Sequence, residues 1–311
     1  MKFFNILFTL LKLLSKLALA LLIGLIFYIA TPIKTTQTVT IPKGSVTKII
    51  EHLKDEGYAL SIIDRYILVM LGQPKSGTLT IGEESMNRID FLKKLTNAKE
   101  AINIVTLIPG ETTPIFLEKL AKERGFNLEL LKKSYQELSP YKEAGVVPDT
   151  YHISKDATEK ELLQTLIEQS NRKYKKLSKD KSKKEWLKIL TVASIVQKEA
   201  ANTKEMPIVA SVIYNRLKKD MPLQMDGTLN YGKYSHVKVT PERIKNDKSK
   251  FNTYLNKGLP PYPICSVSID AIESALNPKE TKYLYFMRNK SGVHDFTASY
   301  REHLKNIKRA R

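Results

Sequence analysis

The chain has 311 residues, 51 Lys and Arg against 32 Asp and Glu for a formal net charge of +19, and 42% apolar residues, enough for packed cores and too many for a globally disordered polymer. A single cysteine, Cys265, excludes an intramolecular disulfide, a cysteine-rich zinc site and an iron–sulfur ligand set. The five histidines are dispersed without metal-binding spacing and no glycine-rich phosphate loop occurs, so neither a metal nor a cofactor is expected.

The first element in chain order is a membrane anchor. Leu17 to Ala30 reads LALALLIGLIFYIA without a charge. Extended back through Phe3–Leu14 it reaches the roughly 20 apolar residues that a span needs, with Lys12 and Lys16 placed to snorkel. Lys2, Lys12 and Lys16 precede the uncharged core and only Lys34 follows closely. The positive-inside rule therefore puts the N-terminus in the cytoplasm and the bulk of the chain outside. The rival, a cleaved signal peptide, has a small-x-small site at Ala18–Ala20 that lies inside the apolar run rather than after it. With the bulk outside, the positive charge faces lipid headgroups or an anionic wall polymer rather than nucleic acid.

A short strand is expected at 37–41, then a turn at Pro42-Lys43-Gly44. A helix capped by Ser45 carries Ile49, Ile50 and Leu53 on one face, and a second opens at Ser61. A strand at 77–82 and a helix over 85–95 complete a βααβ-like unit with nothing catalytic in it. Strand-like 102–107 leads into Ile108-Pro109-Gly110-Glu111-Thr112 and a helix over 114–124 ending at Gly125. The basic stretch 172–184 contains only Tyr174 as a stacking aromatic and reads as a solvated loop or helix end. Ser182 to Glu185 is a capping box before a helix over 186–200, and 206–218 forms the next. Short elements punctuated by Gly and Pro follow, and a last helix is expected over 298–308.

On the 186–200 helix, Val192, Ile195, Val196 and Glu199 fall at i, i+3, i+4 and i+7, which puts one carboxylate on the apolar stripe. Desolvation there raises a carboxyl pKa and keeps the group protonated, as a general acid requires. The bland alternative is a glutamate at the edge of the stripe that caps a helix or pairs with a lysine. Asp226, before Gly227, is either a second acid or a turn former. Asn252 and Tyr254 either bond a ligand or satisfy their own loop, and Gly258-Leu259-Pro260-Pro261 is a rigid turn able to line a groove. Cys265 has no histidine partner in the sequence and reads as a packed thiol.

Taken together, PKGS (42–45), IPGET (108–112), PDTY (148–151), ASIVQKEA (193–200), ASVIYNRL (210–217) and LQMDGTLNYG (223–232) resemble the YceG-like endolytic murein transglycosylase family. FNTYLNKGLPPYPI (251–264), ALNP (275–278), KYLYFM (282–287) and GVHDF (292–296) continue the resemblance in the same order. It implies an α+β fold: an anchor at 1–31, a LysM-like subdomain at 36–101 and a larger α+β catalytic domain at 102–311. It implies lytic cleavage of the MurNAc-β-1,4-GlcNAc bond in nascent peptidoglycan strands, a 1,6-anhydro product and termination of glycan growth. The implied setting is the outer side of the cytoplasmic (inner) membrane, beside cell-wall synthesis proteins. Glu199 matches the family's catalytic glutamate, the second acid of an E-K-E triplet that here reads Gln197-Lys198-Glu199. Gln224, Asp226, Asn252, Tyr254 and Pro261 are the expected glycan contacts. A second departure is Ala144-Gly145-Val146-Val147, where the family carries an aromatic stretch. Two rival readings keep the wall as partner: a muramidase that uses water with Asp226 as second carboxylate, and a non-catalytic binding or scaffold protein.

Overall fold

The structure, a computed structural model, describes residues 2–82, 84–97 and 102–310. The expected boundary at 101/102 adjoins residues 98–101, which lie outside the described residues. The chain divides into two units, Met1–Asn103 with His152–Asp156, and Ile104–Tyr151 with Ala157–Arg311.

The first unit begins with helix α1 (Lys2–Ala30), whose stretch Leu7–Ala30 is long and apolar enough to cross a membrane and has no buried residue, only Tyr28 and Ile29 near its end being half-buried. Strand β1 (Pro32–Lys34) follows at once, then β2 (Thr38–Ile41), α2 (Val46–Asp55), α3 (Ile62–Leu71), β3 (Gly77–Thr80), β4 (Ser85–Asn87) and α4 (Arg88–Asn97). β1 pairs antiparallel with β4, and β2 with β3. The β2–α2–α3–β3 order follows the sequence pattern, and both helices start where short polar side chains satisfy free N–H groups. Ser45 accepts from the Lys48 N–H, while Ser61 and Asp64 form a reciprocal capping box. Ile33, Ile49, Leu53, Leu79, Phe91 and Leu95 close the core between the helices and the strand pairs. One ion pair lies inside: Arg88 Nη1 meets Asp64 Oδ2 at 2.7 Å, with side chains 8% and 0% exposed. Tyr28, in the last turn of α1, donates its hydroxyl to the same oxygen at 2.7 Å.

In the second unit, β5 (Ile102–Leu107) precedes α5 (Thr113–Arg124), α6 (Leu128–Leu138), β6 (Asp149–Ser154), α7 (Glu159–Leu177), α8 (Lys183–Glu199) and α9 (Met206–Lys218). β5 pairs with β6, and the division between the units falls within both strands. Gly125 ends α5 at φ +68, a left-handed conformation that glycine takes without strain. The basic stretch 172–184 is the end of α7, a turn and the start of α8, as a solvated helix end should be. After α9 come a 3-10 turn at Asp226–Leu229, α10 (Pro241–Asn246), α11 (Ile269–Leu276), the antiparallel hairpin β7 (Tyr285–Arg288) and β8 (His294–Thr297), and α12 (Tyr300–Ala310).

α8 is the axis of this unit. Its capping box at Ser182 and Glu185 starts it, and Leu190, Val192, Ala193, Ile195 and Val196 are fully buried against α9 and α11. Small polar groups fasten it to the following chain: Ser194 Oγ accepts from the Ile264 N–H at 3.0 Å.

Breaking the buried pair of the first unit by Asp64→Ala leaves Arg88 desolvated without its carboxylate and is expected to cost about 3–5 kcal/mol. Hydrogen exchange on the full chain should show faster exchange in α3 and β4 and unchanged protection in α8; equal protection of α3 in both proteins would refute the assignment.

Candidate active site

Glu199 is the last residue of α8, where the helix leaves a buried stripe and meets an open groove of about 440 Å³. Its position follows from the periodicity: the apolar residues three and four back are at 0% exposure, and the carboxyl emerges at the edge of that stripe. The Gly227 N–H, at the start of the 3-10 turn, donates to Glu199 Oε1 at 2.7 Å. Glycine is required there by space rather than by φ. A Cβ on residue 227 would lie 2.6 Å from Lys198 Cβ and 2.8 Å from the same carboxylate oxygen.

The electrostatics leave this carboxyl poised. Burial is the largest influence and pushes its pKa up, the Gly227 hydrogen bond pulls it down, and the nearby Asp226 charge pushes it up again, to about 7. Asp226 is exposed on the groove wall and accepts from the Tyr254 hydroxyl at 2.7 Å. Burial and that hydrogen bond raise the tyrosine pKa, so the phenol remains a donor. Gln224, also exposed on the wall, holds a non-glycine φ of +50, a strained conformation fixed by its N–H donating to the Thr253 carbonyl at 3.1 Å.

A raised carboxyl pKa does not by itself mark the site. Glu143 is buried and also pushed up to about 7, by burial first, yet it does not line the groove. It accepts from the Thr113 N–H at 2.8 Å and so satisfies the start of α5.

Of the residues singled out by sequence, the structure brings Glu199, Gln224, Asp226 and Tyr254 together around one groove. It does not bring Asn252 or Pro261 there. Asn252 is 0% exposed; its amide donates to the Ile244 and Asp247 carbonyls, both at 2.7 Å, and accepts from the Tyr254 N–H. It is the clamp of its loop. Pro261 is exposed beside a different depression lined by Lys184, Leu187 and Leu217. Of the departures from the family pattern, Ala144, Val146 and Val147 are core residues, 4% exposed or less. Gln197 accepts from the Ser268 N–H at 3.1 Å, at the N-cap of α11. An amide oxygen serves that hydrogen bond as a carboxylate would.

Sequence reasoning missed the far wall. Tyr285 on β7 stacks against His303 of α12 at 5.3 Å, with Tyr300 at 5.6 Å, and Phe286 completes an aromatic surface facing the groove. The signal was the aromatic alternation in KYLYFM, but its partner lies on a distant helix. Arg216 of α9 floors this wall. It is 8% exposed, donates to the carbonyls of Leu284, Leu223 and Pro222, and lies 5.2 Å from the Tyr285 ring. The hairpin is pinned by Glu205, whose carboxylate accepts from the His294 N–H at 2.9 Å and meets its ring nitrogen at 2.7 Å.

Comparison with known proteins places this geometry. A family model described as YceG-like family matches residues 39–309. The chain is 36% identical over 167 residues to a Bacillus subtilis protein named endolytic murein transglycosylase, covering 52% of this chain and 46% of that protein. It is 33% identical over 192 residues to a protein of the same name from Streptococcus pneumoniae, covering 57% of this chain and 35% of that one. It thus spans less than half the length of these curated relatives. A solved yceG-like protein of Listeria monocytogenes superposes with a TM-score of 0.55 at 26% identity, covering 86% of this chain and 97% of that chain.

The Glu199 pKa also has a consequence for stability. The folded value is raised above the ordinary one, so the cost of ionising this carboxyl is absent below about 4.5 and fully present above about 7. Glu199→Gln is therefore expected to melt at a higher temperature than wild type at pH 8 and at the same temperature at pH 4. Equal melting at both pH values, by calorimetry, would show the carboxyl to be unperturbed.

Proposed function

The chain belongs to the YceG-like family, and from that premise we propose that it is an endolytic lytic transglycosylase of peptidoglycan. It cleaves the MurNAc-β-1,4-GlcNAc bond within nascent strands, leaves a 1,6-anhydro-MurNAc end and thereby terminates glycan elongation. The single observation that supports this most strongly is Glu199, a carboxyl poised to titrate near neutrality on the floor of an open groove.

In this reading the protonated Glu199 gives its proton to the glycosidic oxygen as positive charge develops at the muramyl C1. The C1–O bond breaks and the GlcNAc side leaves as an alcohol. The Glu199 carboxylate then takes the proton of the muramyl C6 hydroxyl, whose oxygen closes on C1 of the same ring. No water is consumed and the acid is regenerated. Because the nucleophile is already part of the substrate, its high effective molarity replaces the second carboxylate of an ordinary glycosidase. Burial is then what chiefly keeps Glu199 protonated, and the Asp226 charge adds to it. Gln224 and Tyr254 are glycan contacts on one wall, and Tyr285, Phe286 and Tyr300 offer ring faces to sugars on the other.

We read α1 as a single-pass anchor, with its N-terminus in the cytoplasm and the groove on the outer side of the inner membrane, near cell-wall synthesis proteins. The fit of one apolar helix to a span and the lysine asymmetry around it support that orientation. The segment 36–101 is read as a LysM-like subdomain close to the membrane, on its βααβ order.

Mass spectrometry of digested uncross-linked glycan strands separates the alternatives. The wild type is expected to release anhydro ends, and Glu199→Gln to lose about 10²–10⁴-fold in rate. Products heavier by one water would replace this reading with the muramidase that uses Asp226, and binding without cleavage would replace it with a scaffold.

The rate should fall as pH rises through about 7, because the acid must be protonated. In Asp226→Asn, which removes a negative neighbour, that limb should move to lower pH; an unmoved limb would show that Asp226 does not act on Glu199. Gly227→Ala should lose about 10²-fold in rate, since its methyl displaces the carboxyl from its hydrogen bond. An unimpaired Gly227→Ala enzyme would refute that positioning role.

A further inference from the structure

We propose that the outer face of α3 is a membrane-contact surface that lies in the headgroup region of the bilayer crossed by α1. The inference rests on reading α1 as a span.

Three observations carry it. α3 has the sequence IIDRYILVML, apolar on every side except Asp64 and Arg65. Asp64 is fully buried in its pair with Arg88, so no acidic group of α3 reaches solvent. On the opposite side Ile62, Ile63, Tyr66, Val69 and Met70 form one stripe at helical spacing, 65%, 42%, 58%, 61% and 88% exposed. Between residues 31 and 97, these are the exposed large hydrophobic side chains of the described residues. A helix apolar all round is normally covered on both sides, and a contiguous exposed patch marks an interaction surface.

The second observation says what covers it. The start of α3 is fastened to the end of the apolar span with no linker between. Tyr28, two residues before the end of α1 at Ala30, has its hydroxyl 2.5 Å from Ser61 Oγ and 2.7 Å from Asp64 Oδ2. Arg88 joins the same knot, donating to Tyr28 at 3.1 Å and to Thr31 Oγ1 at 3.0 Å. Its backbone N–H donates to the Thr31 carbonyl at 2.9 Å. Ten helical residues reach about 15 Å, so the whole stripe stays close to where the chain leaves the bilayer. The span itself offers the continuous apolar surface, since Phe27 in its final turn is 72% exposed.

The third is the composition of the stripe's edge. Arg65 lies 4.8 Å from the Tyr66 ring and donates to its hydroxyl at 3.0 Å. An aromatic ring with a basic group beside it suits the boundary between acyl chains and anionic headgroups. The occupant is accordingly a lipid surface, and the consequence is a first unit seated on the membrane instead of swinging from it.

The test uses the full chain in vesicles of phosphatidylethanolamine and phosphatidylglycerol. Cysteines are introduced one at a time at Met70, at the exposed α2 residue Glu51 and at Leu21 within the span, and labelled with an environment-sensitive dye; Cys265, at 0% exposure, is shielded from the label. Nitroxide lipids labelled near the headgroup should quench the Met70 dye severalfold more than the Glu51 dye, with aqueous iodide showing the reverse order. If the Leu21 dye is quenched by lipid while the Met70 dye behaves as the Glu51 dye does, the surface proposal is overturned and the span stands. If the Leu21 dye is quenched by aqueous iodide and not by lipids carrying the nitroxide at the acyl-chain end, the span reading fails and carries the proposal with it. Shielding of the Met70 dye from both quenchers that grows with protein density would assign the stripe to a second copy and overturn the lipid assignment.

Discussion

Everything at the groove depends on one hydrogen bond, from the Gly227 N–H to the Glu199 carboxyl. The carboxyl stands at the C-terminus of α8, the negative end of the helix dipole, and at the rim of a closely packed core, both of which oppose ionisation. Without a counterweight the group would hold its proton more tightly still. One backbone N–H is a measured counterweight: it favours the ionised form and fixes the direction of the carboxyl, yet adds no full positive charge. A lysine in its place would have held the group permanently ionised. The adjacent Lys198 is turned away, its ammonium shared between the Ser235 carbonyl at 3.4 Å and its hydroxyl at 3.2 Å.

The surrounding fold keeps that geometry fixed by fastening both ends of the hydrogen bond. On one side α8 is held by apolar packing, by Ser194 and by Gln197, whose amide takes the free N–H at the start of α11. On the other, the turn at 226–229 is pinned by the Thr228 hydroxyl, which donates to the Met225 carbonyl at 2.7 Å and lies 2.9 Å from Thr253. Thr253 belongs to the loop that buried Asn252 clamps. Thus several residues that look functional by type, Asn252 above all, act by holding the loop that carries Tyr254. Polar side chains at 0% exposure serve the backbone of their own loop before any ligand.

This separates what the sequence carried from what it did not. α8 and its glutamate were legible because a helical period of 3.6 is a local property: once Val192, Ile195 and Val196 face inward, Glu199 has one place to go. Helix starts at Ser45, Ser61 and Ser182 were legible for the same reason, since capping involves residues three apart. Asp226 and Tyr254 were found by type, but their mutual hydrogen bond spans 28 positions and has no local signature. Asn252 and Pro261 lie away from the groove, since loop composition does not say which side of a loop faces one. The aromatic wall was hidden more deeply. Tyr285 and His303 meet only after the hairpin folds back on α12, and the hairpin is in turn pinned by Glu205, which is distant in sequence.

The same distinction bears on the altered triplet Gln197-Lys198-Glu199. Three successive helical residues project about 100° apart, so they cannot all face one groove. Here they separate: Gln197 toward α11, Lys198 toward the turn at Ser235, and Glu199 toward the open groove. A change from acid to amide at the first position therefore alters a half-buried helix cap, where an acceptor oxygen is all that is needed. It leaves Glu199 untouched, because the placement of that carboxyl is set by its own burial and by Gly227. The departure from the family pattern at residue 197 is thus a difference in how α8 is fastened, and it gives no reason to read this chain as having lost its acid.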